Sequence, residues 1–230
     1  MLLQQWAYFA NEDLWYELLG ESGPGKPEWL EKLTENKPTF HTTLRLLCSY
    51  GLVEADRSAS ELVDSRGYNV HRCVHSWMTY VLNDVVDRDM ALTAIKCVVA
   101  RVPNDSEPEF WLVQRRLIAH ADRCLELLGD IDVEDEAEGL HSLGRLYADQ
   151  GRLQKAEEMY KRALKGKEKA WGPWHPSTLD TVNNLGIIYA DQDRLQEAEA
   201  MYERALEGYE KLWGRGHPST LDTLNNLGNL

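Results

Sequence analysis

Cysteine is scarce in this 230-residue chain, and the four present, Cys48, Cys73, Cys97 and Cys124, stand far apart with no C-x-x-C pair. That argues against a disulfide framework and leaves buried, reduced thiols as the expectation. Also missing is any apolar run near the roughly 18 to 20 residues a membrane helix needs, and the amino terminus lacks a basic region and a small-residue cleavage site. A cytoplasmic location with no membrane partner is expected. Positive charge is short as well: 25 Lys and Arg face 38 Asp and Glu, a formal net charge of −13, and the deficit runs along the whole chain. Without a basic patch to neutralise phosphates, no nucleic-acid partner is expected. Signatures of catalysis are missing too, with no G-x-S-x-G, no H-E-x-x-H and no Cys beside an activating His. The expectation is a protein that is not an enzyme and holds no cofactor.

One stretch imitates a phosphate loop. From Gly20 to Lys26, "GESGPGK" has the spacing of one, but Pro27 stands where a hydroxyl residue should follow. "NEDLWYELL" before it has helical rather than strand periodicity. A helix stop and a loop are expected there.

What the sequence does have is a repeat. "LGRLYADQGRLQKAEEMYKRALKGKEKAWGPWHPSTLD" is followed 42 residues later by "LGIIYADQDRLQEAEAMYERALEGYEKLWGRGHPSTLD", and about 27 of 42 paired positions are identical. A third copy starts at "TLNNLGNL" and stops within its first helix. In each copy the apolar residues fall on helical stripes, as Leu179, Val182, Leu185 and Tyr189 do, with a second helix expected from about Leu195 to Trp213. The short "DQDR" makes the two helices antiparallel neighbours. Gly186, Ala198 and Ala205 are small where helices must approach. Gly214 suits a positive φ, Pro218 cannot continue a helix, and Ser177 with Asp180, like Ser219 with Asp222, has capping-box spacing.

Leu143, Gly144, Tyr147, Ala156, Tyr160 and Ala163, and again Leu185, Gly186, Tyr189, Ala198, Tyr202 and Ala205, resemble the tetratricopeptide repeat (TPR). The longer unit, with G-x-x-HPST and NNLG, is similar to the variant of kinesin light chains and fungal signalling proteins. The resemblance implies an α-α superhelix over 131–230, whose concave groove binds peptide segments of partner proteins. Facing away from the packed stripe are His141, Arg145 and Asp149, then Asn183, Ile187 and Asp191, then Asn225 and Asn229. Asn offers both a donor and an acceptor to a peptide backbone. His141, Arg145, Asn183, Ile187, Asn225 and Asn229 are therefore the candidate groove residues.

Residues 1–86 lack this period. "LLQQWAYF", "NEDLWYELL" and "FHTTLRLLCSYGLV" predict three helices, with Asn11 as a cap, and "LVEA" and "GYNVHR" predict a two-stranded hairpin. Three helices and a hairpin make a winged helix. Arg45, with His41 beside it, is too little charge to hold DNA, so an intramolecular packing module is the alternative. "GYNVHRCVHSWM" resembles the end of the winged-helix segment of NB-ARC and related STAND signalling ATPases, NLR-like proteins with fungal members that carry TPR arrays. The resemblance places His71 at the position of the His in their M-H-D motif, although Arg72 replaces the Asp. It implies, as a further partner, an upstream nucleotide-binding domain. His71, Cys73 and His75 would share one face of a continuing strand, but no fourth metal ligand is evident and no metal site is expected.

Between the two parts, 87–130 reads as a helical linker or a degenerate TPR-like hairpin. Arg115, Arg116, His120 and Arg123 fall on neighbouring turns of its second helix, as a solvated or internally paired face. Trp6, Trp15, Trp29 and Trp77 read as packing residues. The fold class is mainly all-α, and the expected function is a protein-interaction module, the sensor part of an NLR-like protein. A kinesin-light-chain-type adaptor and, behind it, a DNA-binding winged helix are the alternatives.

Overall fold

The computed structural model describes residues 1–20, 26–56, 65–104, 106–128 and 136–230. The chain forms two compact units, divided between residues 128 and 136, and it is mainly helical. Among the described residues, no helix is long and apolar enough to cross a membrane.

The first unit begins with α1 (Leu2–Trp6), α2 (Tyr16–Gly20), α3 (Glu28–Leu33) and α4 (Lys37–Ser49), one helix more than the periodicity predicts. Asn36 caps α4 by accepting from the Thr39 amide at 2.9 Å. Strands β1 (Val53–Ala55) and β2 (Tyr68–Val70) pair antiparallel, Val53 opposite Val70, as the hairpin reading requires.

Asn11 does not cap α2. The backbone from Asn11 to Leu14 lies along β2 instead: Leu14 and Tyr68 exchange bonds of 2.9 and 2.8 Å, and the Val70 amide donates to Asn11 O at 2.7 Å. Asp13 sits at φ 57°, and a Cβ on Gly67 would come within 1.9 Å of its Oδ1. Tertiary pairing has overridden a local helix preference here, and α2 starts only at Tyr16.

The metal reading fails on geometry. The strand ends at Val70, and α5 (Arg72–Trp77) follows directly, continuing as a π-helical turn over Met78–Leu82. Alternate residues therefore do not share a face. Cys73 is exposed, while His75 bonds Phe9 O at 2.9 Å.

Helices α6 (Arg88–Ala100) and α7 (Phe110–Leu128) pack by their contacts within this first unit. Gln5 Nε2 donates to Met90 O, and the Cys124 thiol to Tyr8 O. Arg116, His120 and Arg123 of α7 face inward, while Arg115 is exposed. Arg116 makes two 2.8 Å bonds to the Asp13 carboxylate and lies 4.0 Å from the Trp15 ring centre. His120 is buried between the Ala10 amide, which donates to Nδ1 at 3.2 Å, and Asp13 O, at 3.0 Å from Nε2. The proton is therefore on Nε2, and burial pushes the pKa down to about 4.

The second unit is an array of antiparallel hairpins: α8 (Ala137–Asp149) with α9 (Leu153–Trp171), α10 (Pro176–Asp191) with α11 (Leu195–Trp213), then α12 (Pro218–Gly228). The aromatic ring of each second helix covers a glycine of the first: a Cβ on Gly144 would meet Tyr160 at 2.7 Å, and one on Gly186 would meet Tyr202 at 2.6 Å. No other residue fits there without displacing the ring.

In the loop "HPST" each residue has its own part. His175 and His217, not the serines, are the caps, their Nδ1 atoms accepting from the Ser177 and Ser219 amides at 3.2 and 3.3 Å. Each proline follows at the first helical position, where no donor is needed. Thr178 and Thr220 tie back to the carbonyls of Gly172 and Gly214 at 2.9 and 3.0 Å. Those glycines take φ 87° and 81°. The Ser177 hydroxyl serves a different purpose, lying 2.8 Å from the buried Lys167 ammonium and 2.5 Å from Glu138. The capping-box spacing found the helix start and misassigned the cap.

Ion pairs link successive hairpins. Arg194 reaches Glu157 at 2.8 Å and Arg204 reaches Glu168 at 2.5 Å, joining α11 to α9.

Candidate functional site

On the first helices, α8, α10 and α12, a 42-residue offset aligns the candidate groove residues in columns: His141, Asn183 and Asn225 in one, Arg145, Ile187 and Asn229 in the next, Asp149 and Asp191 in a third. The structure divides them by exposure. Ile187, Asn225, Asn229, Asp149 and Asp191 are exposed, while His141, Arg145 and Asn183 are half-buried.

His141 and Asn183 each join neighbouring first helices. His141 Nδ1 lies 2.9 Å from Thr181 Oγ1, and Asn183 Oδ1 lies 3.1 Å from Thr223 Oγ1, the corresponding contact one repeat later. Thr181 has one hydroxyl proton, and the carbonyl of Ser177 sits 3.0 Å away to take it, whereas the Thr223 hydroxyl faces two acceptors, Ser219 O at 2.8 Å and Asn183 Oδ1. His141 then donates from Nδ1, leaving Nε2 to accept the 3.5 Å contact from Asn184. Asn183 in turn presents its carbonyl oxygen to the Thr223 hydroxyl, which donates to Oδ1 at 3.1 Å. Burial, and after it the Lys167 ammonium, pushes His141 down to about 4, so it is neutral at pH 7.

With His141 neutral, the face is acidic. Glu138, Asp180 and Asp222 occupy one exposed column and Asp149 and Asp191 another, against the single cation Arg145 in the candidate columns. Glu138 is partly engaged with Lys167, at 3.1 Å. Burial would raise its pKa, but the Ser177 hydroxyl and the Lys167 ammonium outweigh this and hold it below the usual carboxylate range. The sequence reading missed the threonines that carry the bonds between helices. Their signal was there, since Thr181 and Thr223 follow "LD" in both copies.

His71 lies far from this face in sequence and belongs to the first unit. It ends the extended segment after β2 and caps α5, Nδ1 accepting from the Cys73 amide at 3.2 Å. In the phosphate-loop lookalike, residues 21–25 lie outside the described residues. Lys26 Nζ bonds Gly20 O at 2.5 Å and Thr34 Oγ1 at 3.2 Å, and a helix rather than a strand precedes it.

Residues 137–177 and 178–219 match the tetratricopeptide repeat family. This part of the chain carries TPR repeats, a scaffold fold that in general binds protein partners and is not catalytic. No curated protein matches the chain. Among solved structures, it is similar to a Podosopora anserina putative kinesin light chain with nearly identical TPR-like repeats: 16% identity over 68% of this chain and 74% of that one, TM-score 0.48. A point variant of that protein gives 16% over 68% and 73%, TM-score 0.48. BtubC (BKLC) from P. vanneervenii gives 18% over 68% and 69%, TM-score 0.46.

Proposed function

We propose that the array over 136–230 is a binding scaffold that holds an extended, basic peptide segment of a partner protein along α8, α10 and α12. The observation that carries this is the exposed pairing of Ile187 with Asn225, Asn229 and two columns of carboxylates on the first helices. Asparagine matches a peptide backbone, Ile187 supplies an apolar contact, and the carboxylates favour Lys and Arg. The test is a screen of peptides against the full chain, followed by Ile187→Glu with Asn225→Ala. Peptides bound by the wild type should be lost by this variant and kept by Leu195→Glu, which alters an exposed position on α11. Retention of every peptide by the groove variant would sink the proposal.

A second reading concerns the first unit, as the relay of an NLR-like switch whose nucleotide sits in another domain. Its support is the strand order. Leu14 forms an isolated bridge to Tyr68 beside the β1–β2 hairpin, an order of helices and hairpin compatible with a winged helix, with Val70, His71 and Arg72 at its end. On this reading ADP or ATP with magnesium leaves the melting temperature of the present chain unchanged. A saturable rise with nucleotide would contradict it.

A further inference from the structure

The first unit carries an exposed apolar patch that neither reading uses. Around the π-helical turn, Trp77, Tyr80, Val81, Val85 and Val86 are 46, 76, 60, 77 and 43% exposed. Single exposed apolar residues need no explanation, but a run of them along one short stretch does. π-helical turns also concentrate at functional sites.

Two cavities open on either side of Thr79 and Tyr80. One, of about 170 Å³, is walled chiefly by Ala7, Tyr8, Val86 and Leu127, with Asp84 at its edge. The other, of about 420 Å³, is polar and lined by Asn11, His75, Asp122, Arg123 and Glu126. The apolar one is too small for a typical small-molecule ligand, whose pockets run from roughly 300 Å³ upward, yet it accommodates one Leu-sized side chain. The polar one is negative on balance. Arg123 is already engaged by Ala7 O, Thr79 Oγ1 and Glu126, and His75 bonds Phe9 O and is held neutral by burial. By count, three carboxylates, Asp84, Asp122 and Glu126, stand against the one guanidinium, Arg123, among the lining residues of the two cavities.

We propose that this paired cavity is a docking site for a short segment of a partner protein in which a Leu-sized apolar residue stands beside a lysine or arginine. The apolar side chain enters the cavity under Tyr80, and the cation lies against Asp84, Asp122 and Glu126. The site is independent of the groove on α8, α10 and α12. Removing an anchor from such a pocket and removing its charge partner are each effects of roughly tenfold order.

The probe is the peptide acetyl-Ser-Lys-Leu-Lys-Ser-amide, titrated into the ¹⁵N-labelled full chain and followed by amide shifts. Saturable shifts are expected at Thr79, Tyr80, Asp84 and Val86, with binding about tenfold weaker when Ala replaces the Leu or Glu replaces the lysines. Tyr80→Ala and Asp84→Asn, both at exposed positions that the fold tolerates, should each weaken binding about fivefold or more. Absence of shifts at those amides, or equal binding of the Ala peptide, overturns the proposal. So does a two-chain mass in sedimentation that Tyr80→Ala returns to one, since that assigns the patch to a second copy.

Discussion

Two residues show how little room individual positions leave. Gly186 and Gly144 lie under tyrosine rings with no space for a Cβ, whereas a Cβ on Gly216 would meet nothing within 4 Å. Gly186→Ala should therefore cost about 1–3 kcal/mol through overpacking, while Gly216→Ala is neutral or slightly stabilising. Denaturant titration of the two variants checks this. His120 sets a second constraint. Its folded pKa of about 4 lies below the ordinary 6.5, so between these values the unfolded chain binds the proton more readily. Stability consequently falls as the pH drops from about 6.5 to 4, by about 3 kcal/mol from this residue, and is untouched at pH 7. Glutamine can accept from the Ala10 amide and donate to Asp13 O without titrating. His120→Gln should flatten the stability profile over that window, and an unchanged profile would mean that the burial seen for His120 is not what makes the fold acid-sensitive.

At the scale of elements, the sequence spoke clearly where structure is local and repeated. The limits of α11 were readable because Leu195 to Trp213 carries an unbroken helical stripe between two turn signals. Pairing over distance was not readable. Nothing near Asn11 announces that Val70, 59 residues away, will bond it, or that Arg116 will seize Asp13 from α7. The candidate groove positions fall on or at the end of α8, α10 and α12, yet whether a side chain there is free depends on the next repeat, as Thr181 and Thr223 show. The histidine cap was missed because His is an uncommon cap and the serine spacing beside it was a better match to the usual signal. It yields a test. The His175 ring accepts from the Ser177 amide and packs on Trp171 at 5.0 Å. His175→Ala should cost about 1 kcal/mol, and His175→Asn should restore most of the cap, because the carboxamide oxygen reaches the same donor. Equal losses for the two variants would transfer the role from the cap to the ring contact.

At the scale of the molecule, the array shows that a residue's energetic weight belongs to its surroundings and not to its motif. Leu179 and Leu221 are the same residue in the same "HPSTLD" sequence, 42 positions apart. Leu179 is fully buried with Val182, Ala205 and Tyr209, against α11, and approaches Gly208 so closely that a Cβ there would lie 2.5 Å away. Leu221 and Leu224 are 50 and 52% exposed on α12. The same stripe is thus core in α10 and surface in α12. Leu179→Ala should cost about 2–5 kcal/mol, from lost transfer energy and the cavity left behind, whereas Leu221→Ala should cost under about 0.5 kcal/mol. Unfolding of the two variants in urea, read by far-ultraviolet circular dichroism, makes the comparison directly. Similar losses would show that α12 buries its apolar stripe in solution, against itself or another surface, and that the exposed leucines are part of a core.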